Sequence, residues 1–332
     1  MTRVPQFYDW PLDPAEIPTP AELEKVYSDG FPGCQLSAWS QESLFEDGIL
    51  QTFAQACPHL AGLHKRSDRQ VVPLFLAREQ CDPGAFGQEA QTTGDCVSHG
   101  SRNARDTTRC VEIVIKGEAE IYHKRGATEP TYGYRGHGGQ GMDPARATRF
   151  ETEFGFLFRQ AYPEVGLDLS VYNSRIGSAW GRGGPPEKVR QKCQEHRVGK
   201  WIAPETGDEA LDLLAAGYAC HSGQNVGFSS TPNGSGVHPV RGRWAHDMAT
   251  VGYDTSREAW SVDVVFVQNS WGDFNTQPVN WPDKWPKMPG LITVRLEDWV
   301  NRIVEAGSMF FYADVVGVPA KELPDWGSHT YL

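Results

Sequence analysis

The chain has 332 residues, enough for one large domain or two lobes around a sizeable core. Hydrophobic residues make up 39% and charged residues 22%, the balance of a globular protein, and no run is apolar enough to span a bilayer. The formal net charge of −11 argues against nucleic acid as the main partner.

In chain order, residues 1–19 are rich in proline and aromatics and read as an extended arm. The start, Met1-Thr2-Arg3-Val4-Pro5-Gln6, is not a signal peptide, so a cytoplasmic or particle-associated location is expected. Thr19-Pro20 opens a short helix that ends before Gly30, and Ser40 caps a second helix through about Ala56, stopped by Pro58. Val71–Leu76 is a short apolar run leading to the turn Asp82-Pro83-Gly84. Residues 1–70 read as an accessory cap or a pro-like segment lying in a cleft.

A helix begins at Cys96. Val97, Ser101, Ala104, Thr108, Val111 and Ile115 recur every three or four residues as a mostly small apolar face. The arginines and lysines between Arg102 and Arg149 are interspersed with glutamates, which predicts a solvated face rather than a phosphate site. Gly136, Gly138 and Gly141 satisfy G-x-G-x-x-G, but Thr131–Arg135 before them reads as loop, so the stretch predicts backbone close to a ligand or another segment, not a dinucleotide site. Asp143-Pro144 starts a helix running to Phe154, with Gly155 as its stop. Residues 162–186 read as loops and short strands, and Glu187–Glu195 as a charged helix. Thr206-Gly207-Asp208-Glu209 is a capping box for a helix ending at Gly217. Strands follow at Tyr218–Phe228, Met248–Tyr253, Val262–Val267, Leu291–Leu296 and Met309–Val318. A helical half followed by a strand-rich half predicts an α+β protein of two lobes.

Three stretches carry chemistry. In Gly94-Asp95-Cys96 a tight turn delivers a cysteine to a helix N-terminus, where unpaired N–H groups and the dipole favour thiolate. Gln91, five residues upstream, could donate its amide to an oxyanion. His246 stands directly before an apolar strand, and Asn269-Ser270-Trp271-Gly272 ends another, so Asn269 could fix the imidazole tautomer while Trp271 shields that bond from water. The seven cysteines contain no C-x-x-C, so no zinc site is expected, and reduced thiols are the default.

Together these stretches resemble the papain-like cysteine peptidases. His246 to Tyr253 looks like that family's H-x-x-x-x-x-G-Y motif, residues 269–272 reproduce N-S-W-G, and Gln91 with Gly94-Asp95-Cys96 resembles Q…G-x-C. Gly138-Gly139 resembles the glycine pair that lines the family's cleft, and Gly290–Val294 the strand after N-S-W-G. The resemblance covers roughly residues 70–318. It departs in the five-residue Gln–Cys spacing, where six is usual, in Val97 where tryptophan is usual, and in the absence of the flanking cysteines and of the helical pro-segment signature.

The resemblance implies a papain-like two-lobe fold, a helical lobe with a central cysteine helix and a β-sheet or barrel-like second lobe. The expected division is 1–70 arm or pro-like segment, 71–205 helical lobe, 206–318 β-rich lobe and 319–332 tail. It implies a peptide or protein substrate and a Cys96–His246–Asn269 triad, with Gln91 and the Cys96 N–H holding the oxyanion, Trp271 shielding, and Gly138, Gly139 and His99 lining the cleft. No metal or cofactor is required, and no nucleic acid or membrane is expected as partner. Two other readings are a papain fold kept as a structural or interaction module in a larger particle, docked through the arm, and a transglutaminase-like acyltransferase, against which Asn269 speaks.

Overall fold

A computed structural model describes residues 33–35, 38–85, 87, 89–115, 124–304 and 308–313. The expected arm at residues 1–30, including the Thr19-Pro20 helix, and the tail at 319–332 lie outside the described residues.

The first described helix, α1 (Ala38–Glu46), is shorter than the predicted span. Beyond it Leu50–Thr52 forms strand β1 and Phe53–Ala56 the short helix α2. The reason is local chemistry. Thr52 caps α2, accepting from the Gln55 N–H while the Gln55 side chain accepts from the Thr52 N–H, and this box starts a new helix where the pattern alone reads as continuous. The run at 71–76 divides into strand β2 (Val71–Val72) and helix α3 (Leu74–Cys81).

Helix α4 (Cys96–Val114) is the axis of the molecule. Around it stand α5 (Glu129–Gly133) and α6 (Pro144–Glu153). Helix α6 begins as expected, with the Asp143 carboxylate accepting from the Ala145 N–H and proline in the first turn. A small hairpin, β3 (Ala161–Tyr162) with β4 (Leu167–Asp168), leads to α7 (Ser174–Trp180) and α8 (Glu187–Cys193). After β5 (Trp201–Ala203), helix α9 (Gly207–Ala215) is capped by Thr206, which accepts from the Glu209 N–H.

The second half supplies β6 (Cys220–Gln224), β7 (His246–Asp254), β8 (Val264–Gln268), β9 (Leu291–Arg295), helix α10 (Leu296–Trp299) and β10 (Met309–Tyr312). The sheet order is β1-β5-β10-β6-β7-β8-β9, with β2 paired to the far end of β7. Among the described residues every pairing in this sheet is antiparallel except β1 on β5. Of the two expected forms of the β-rich lobe, sheet or barrel-like, the described residues form the antiparallel sheet, and it is open. Helix α4 packs across β6 and β7, so the β-rich half lies directly against the helix that begins at Cys96. At Gly252, in the bulge of β7, a β-carbon would overlap the Val72 carbonyl oxygen, and φ is +139°, so the glycine of the H-x-x-x-x-x-G-Y pattern is fixed by close approach of β2.

The predicted solvated face on α4 is overturned. Arg102, Arg105, Asp106, Arg109 and Glu112 are all buried. Each arginine finds compensation from elements distant in sequence: Arg102 pairs with Glu89, Arg105 with Glu151 at 2.9 Å, and Arg105 also lies 3.8 Å above the Phe156 ring. Arg109 covers the Phe158 ring at 5.1 Å. Buried charges are tolerated only when paired in this way.

Candidate active site

Residue Cys96 is the first residue of α4 and is completely buried. Its N-cap, Asp95, makes no side-chain cap, because the carboxylate accepts instead from the Tyr172 hydroxyl at 2.7 Å. Across from it, β7 begins at His246, opposite Gln224 of β6. The chain leaves β8 at Asn269, whose backbone N–H is anchored to the Gly290 carbonyl at 2.8 Å.

His246 Nε2 lies 2.9 Å from Asn269 Oδ1. Asn269 Oδ1 is an acceptor, which places the proton of a neutral imidazole on Nε2 and the ring lone pair on Nδ1. The Trp271 ring covers this contact, with its centroid 4.6 Å from that of His246 and the planes 30° apart. Trp244 and Phe274 pack on Trp271 in turn, at 4.7 and 5.0 Å. The N-S-W-G stretch also holds Gln91: the Ser270 hydroxyl donates to Gln91 Oε1, and the Gln91 N–H donates to the Ser270 carbonyl at 2.8 Å. Gln91 Nε2 reaches the Thr93 carbonyl at 2.9 Å. The five-residue spacing therefore leaves this glutamine tied to the turn that precedes Cys96.

His99 lies elsewhere than on an open wall. It is buried against Tyr172, edge to face at 5.1 Å, with Arg102 Nη2 3.3 Å from its Nδ1 and Asp95 at 3.5 Å from its Nε2. Gly138 and Gly139 lie on an exposed loop, where the Gly139 carbonyl accepts from Arg135 Nε at 2.8 Å. The backbone that meets another segment at this end is that of Met142. The Gln35 N–H donates to its carbonyl at 3.0 Å, and its own N–H donates to the Gly33 carbonyl at 3.2 Å. On the other side the Cys34 N–H donates to the Ala245 carbonyl at 2.8 Å, one residue before His246. Residues 33–35 thus bridge the helical half and the sheet beside His246. No residue type signals this pairing; the glycine-rich loop ending at Met142-Asp143-Pro144 predicts only that backbone is approached there.

The ionisation of the site follows from this enclosure. Burial pushes the Cys96 thiol well above its ordinary range, and the Asp247 carboxylate adds to the effect; the backbone N–H groups of Asp247 and Val97 reach the sulfur and act the other way. Burial also lowers His246 to about 3, against the Asn269 hydrogen bond, which raises it. As enclosed here, the two groups stand as neutral thiol and neutral imidazole. Asp247 itself is buried, raised by desolvation, and paired with His221 Nδ1 at 3.0 Å. Among the described residues no group of histidine, cysteine and carboxylate side chains is arranged to hold a metal ion.

The chain resembles the solved structure of digestive procathepsin L2 proteinase from Tenebrio molitor larval midgut. The TM-score is 0.53 at 14% identity, over 91% of this chain and 82% of that one. The fold is papain-like. Xylellain, a cysteine protease from Xylella fastidiosa, matches at a TM-score of 0.47 and 14% identity, over 73% of this chain and 84% of its own. The bromelain protease from Ananas comosus matches at 0.44 and 15%, over 73% and 97%. No family model matches the chain, and no curated protein matches it.

Proposed function

We propose that the chain is a cysteine-type peptidase, held latent by its own residues 33–35. The observation that carries this reading is the His246–Asn269 hydrogen bond beneath Trp271, set against a helix that begins at Cys96. With residues 33–35 displaced, water and substrate reach Cys96 and His246, the burial that holds both groups neutral is relieved, and proton transfer from thiol to imidazole yields the nucleophile. The thiolate attacks the scissile carbonyl. The Cys96 N–H and the Gln91 amide, freed from Thr93, receive the oxyanion, an interaction worth roughly 3–4 kcal/mol. His246 protonates the leaving amine, a thioester forms, and water hydrolyses it with His246 as base. A substrate backbone would use the same groups that residues 33–35 use, the Ala245 carbonyl and both polar groups of Met142. The T. molitor protein is a procathepsin, in keeping with the latent reading.

The second reading, a papain-fold interaction module, is favoured by the complete burial of Cys96 and His246. Labelling decides between them. Full-length protein and protein nicked by mild proteolysis before residue 38 are treated with iodoacetamide or a peptidyl epoxide from pH 5 to 9, alongside Cys96→Ala and His246→Ala. The peptidase reading expects slow labelling of Cys96 in the full chain and, after nicking, rapid selective labelling that His246→Ala slows. Persistent inertness of Cys96 after nicking supports the module.

A further inference from the structure

Helix α3 ends at Cys81, and its thiol faces that of Cys110, about four turns along α4, within hydrogen-bonding reach. The two helices pack closely against each other. Cys81 is half-buried and Cys110 buried, so a small solute reaches the first sulfur before the second. Arg78, one turn before Cys81, and Arg109, beside Cys110, bring positive charge to the pair, and Asp82 opposes them. The hydrogen bond from Cys110 is the largest influence lowering Cys81, while burial raises Cys110. Cys81 is therefore the more accessible and the more acidic thiol of the pair, and Cys110 lies against it from the neighbouring helix, the arrangement of an attacking and a resolving cysteine.

We propose that Cys81 and Cys110 are a redox-active dithiol that closes to a disulfide between α3 and α4 when it meets the disulfide of a low-molecular-weight thiol such as glutathione. The Cys81 thiolate attacks one sulfur of oxidised glutathione, its S–S bond breaks, and one glutathione leaves as thiolate. Cys110 then gives its proton to water and attacks the Cys81 sulfur of the mixed disulfide, expelling the second glutathione. The protein loses two electrons and two protons, and glutathione disulfide gains both. The loop closed by this bond, residues 82–109, contains both Gln91 and Cys96. Oxidation therefore ties down the segment that carries the proposed nucleophile.

The dithiol stands apart from the peptidase chemistry, so the Cys96→Ala protein carries the same test. Full-length protein is equilibrated in glutathione buffers from fully reduced to fully oxidised, quenched with acid, alkylated and digested without reductant. The expected product is a peptide cross-linked between Cys81 and Cys110, absent from Cys81→Ala, and an intact mass lower by two hydrogens. The oxidised protein melts higher by on the order of 5 °C, as expected for a closed loop of this length, and Cys81→Ala shows no such rise. Should Cys81→Ala fail to fold, the cross-link map of the unsubstituted protein decides alone. A stable glutathione adduct left on Cys81, or a dominant cross-link joining any other cysteines, Cys34 and Cys96 included, overturns the proposal.

Discussion

The carboxylate of Asp247 rests against Gly100, one turn into α4 from Cys96, so closely that a β-carbon at position 100 would overlap Asp247 Oδ1. His221 holds the same carboxylate from β6, at 3.0 Å through Nδ1. The residue after His246 and the helix that begins at Cys96 are thus in direct contact. Gly100→Ala has no room to relax, since Asp247 is buried on every side. A loss of about 2–4 kcal/mol in unfolding free energy is expected, read from urea midpoints. Gly100→Ala with Asp247→Ala should recover part of it. A Gly100→Ala protein as stable as the parent would show that the contact is slack.

The same carboxylate sets the charge beside the thiol. Asp247 raises Cys96, whereas its backbone N–H favours the thiolate. Asp247→Asn removes the first influence and keeps the second. The pH profile of Cys96 alkylation in protein freed of residues 33–35 should move to lower pH by roughly 0.5–1 unit. An unmoved profile would mean that Asp247 carries its proton throughout.

The three chemical stretches are legible in the sequence because each is local: a turn before a helix, a histidine at a strand start, an asparagine at a strand end. The helix starts at Asp143 and Thr206 are legible for the same reason, since a cap is written within four residues. The buried charges of α4 are not. Their partners Glu89, Glu151 and Phe156 are scattered along the chain, and an arginine awaiting such partners looks in sequence like one facing water. The pairing of residues 33–35 with Met142 and Ala245 is hidden likewise, because backbone hydrogen bonds leave no mark on residue type.

Acid should loosen the enclosed form. His246 lies at about 3 when folded and near 6.5 when unfolded, so between these values the unfolded chain binds more protons. Its contribution to stability is complete above pH 6.5 and is lost as pH falls toward 3. Between pH 7 and 4.5 this amounts to roughly 2–3 kcal/mol. His238, lowered to about 4 by burial, acts in the same direction; Asp247 and Asp254, raised by burial, act in the opposite one. Comparison with His246→Gln isolates the first. Urea midpoints at pH 7 and 4.5 should differ less in that variant, and equal differences would refute the assignment.

Arg159 joins two carboxylates that flank the site. Its Nε and Nη2 meet Glu89 at 2.9 and 3.1 Å, and its Nη1 meets Glu129 at 2.5 Å. Glu89 lies two residues before Gln91, and Glu129 Oε1 accepts from the Asn173 N–H at 2.8 Å, one residue after the Tyr172 that holds Asp95. Burial would raise Glu89, but Arg102 and Arg159 together hold it well below the usual carboxylate range. Arg159→Met fills similar space and leaves Glu129 buried without its cation, at a cost of about 3–5 kcal/mol. Glu129→Gln in the same protein removes the stranded charge and keeps an acceptor for Asn173, so the double variant should be more stable than Arg159→Met alone. If the second substitution instead adds to the loss, the Arg159–Glu129 pair is not what holds this corner, and the weight falls on Glu89 with Arg102.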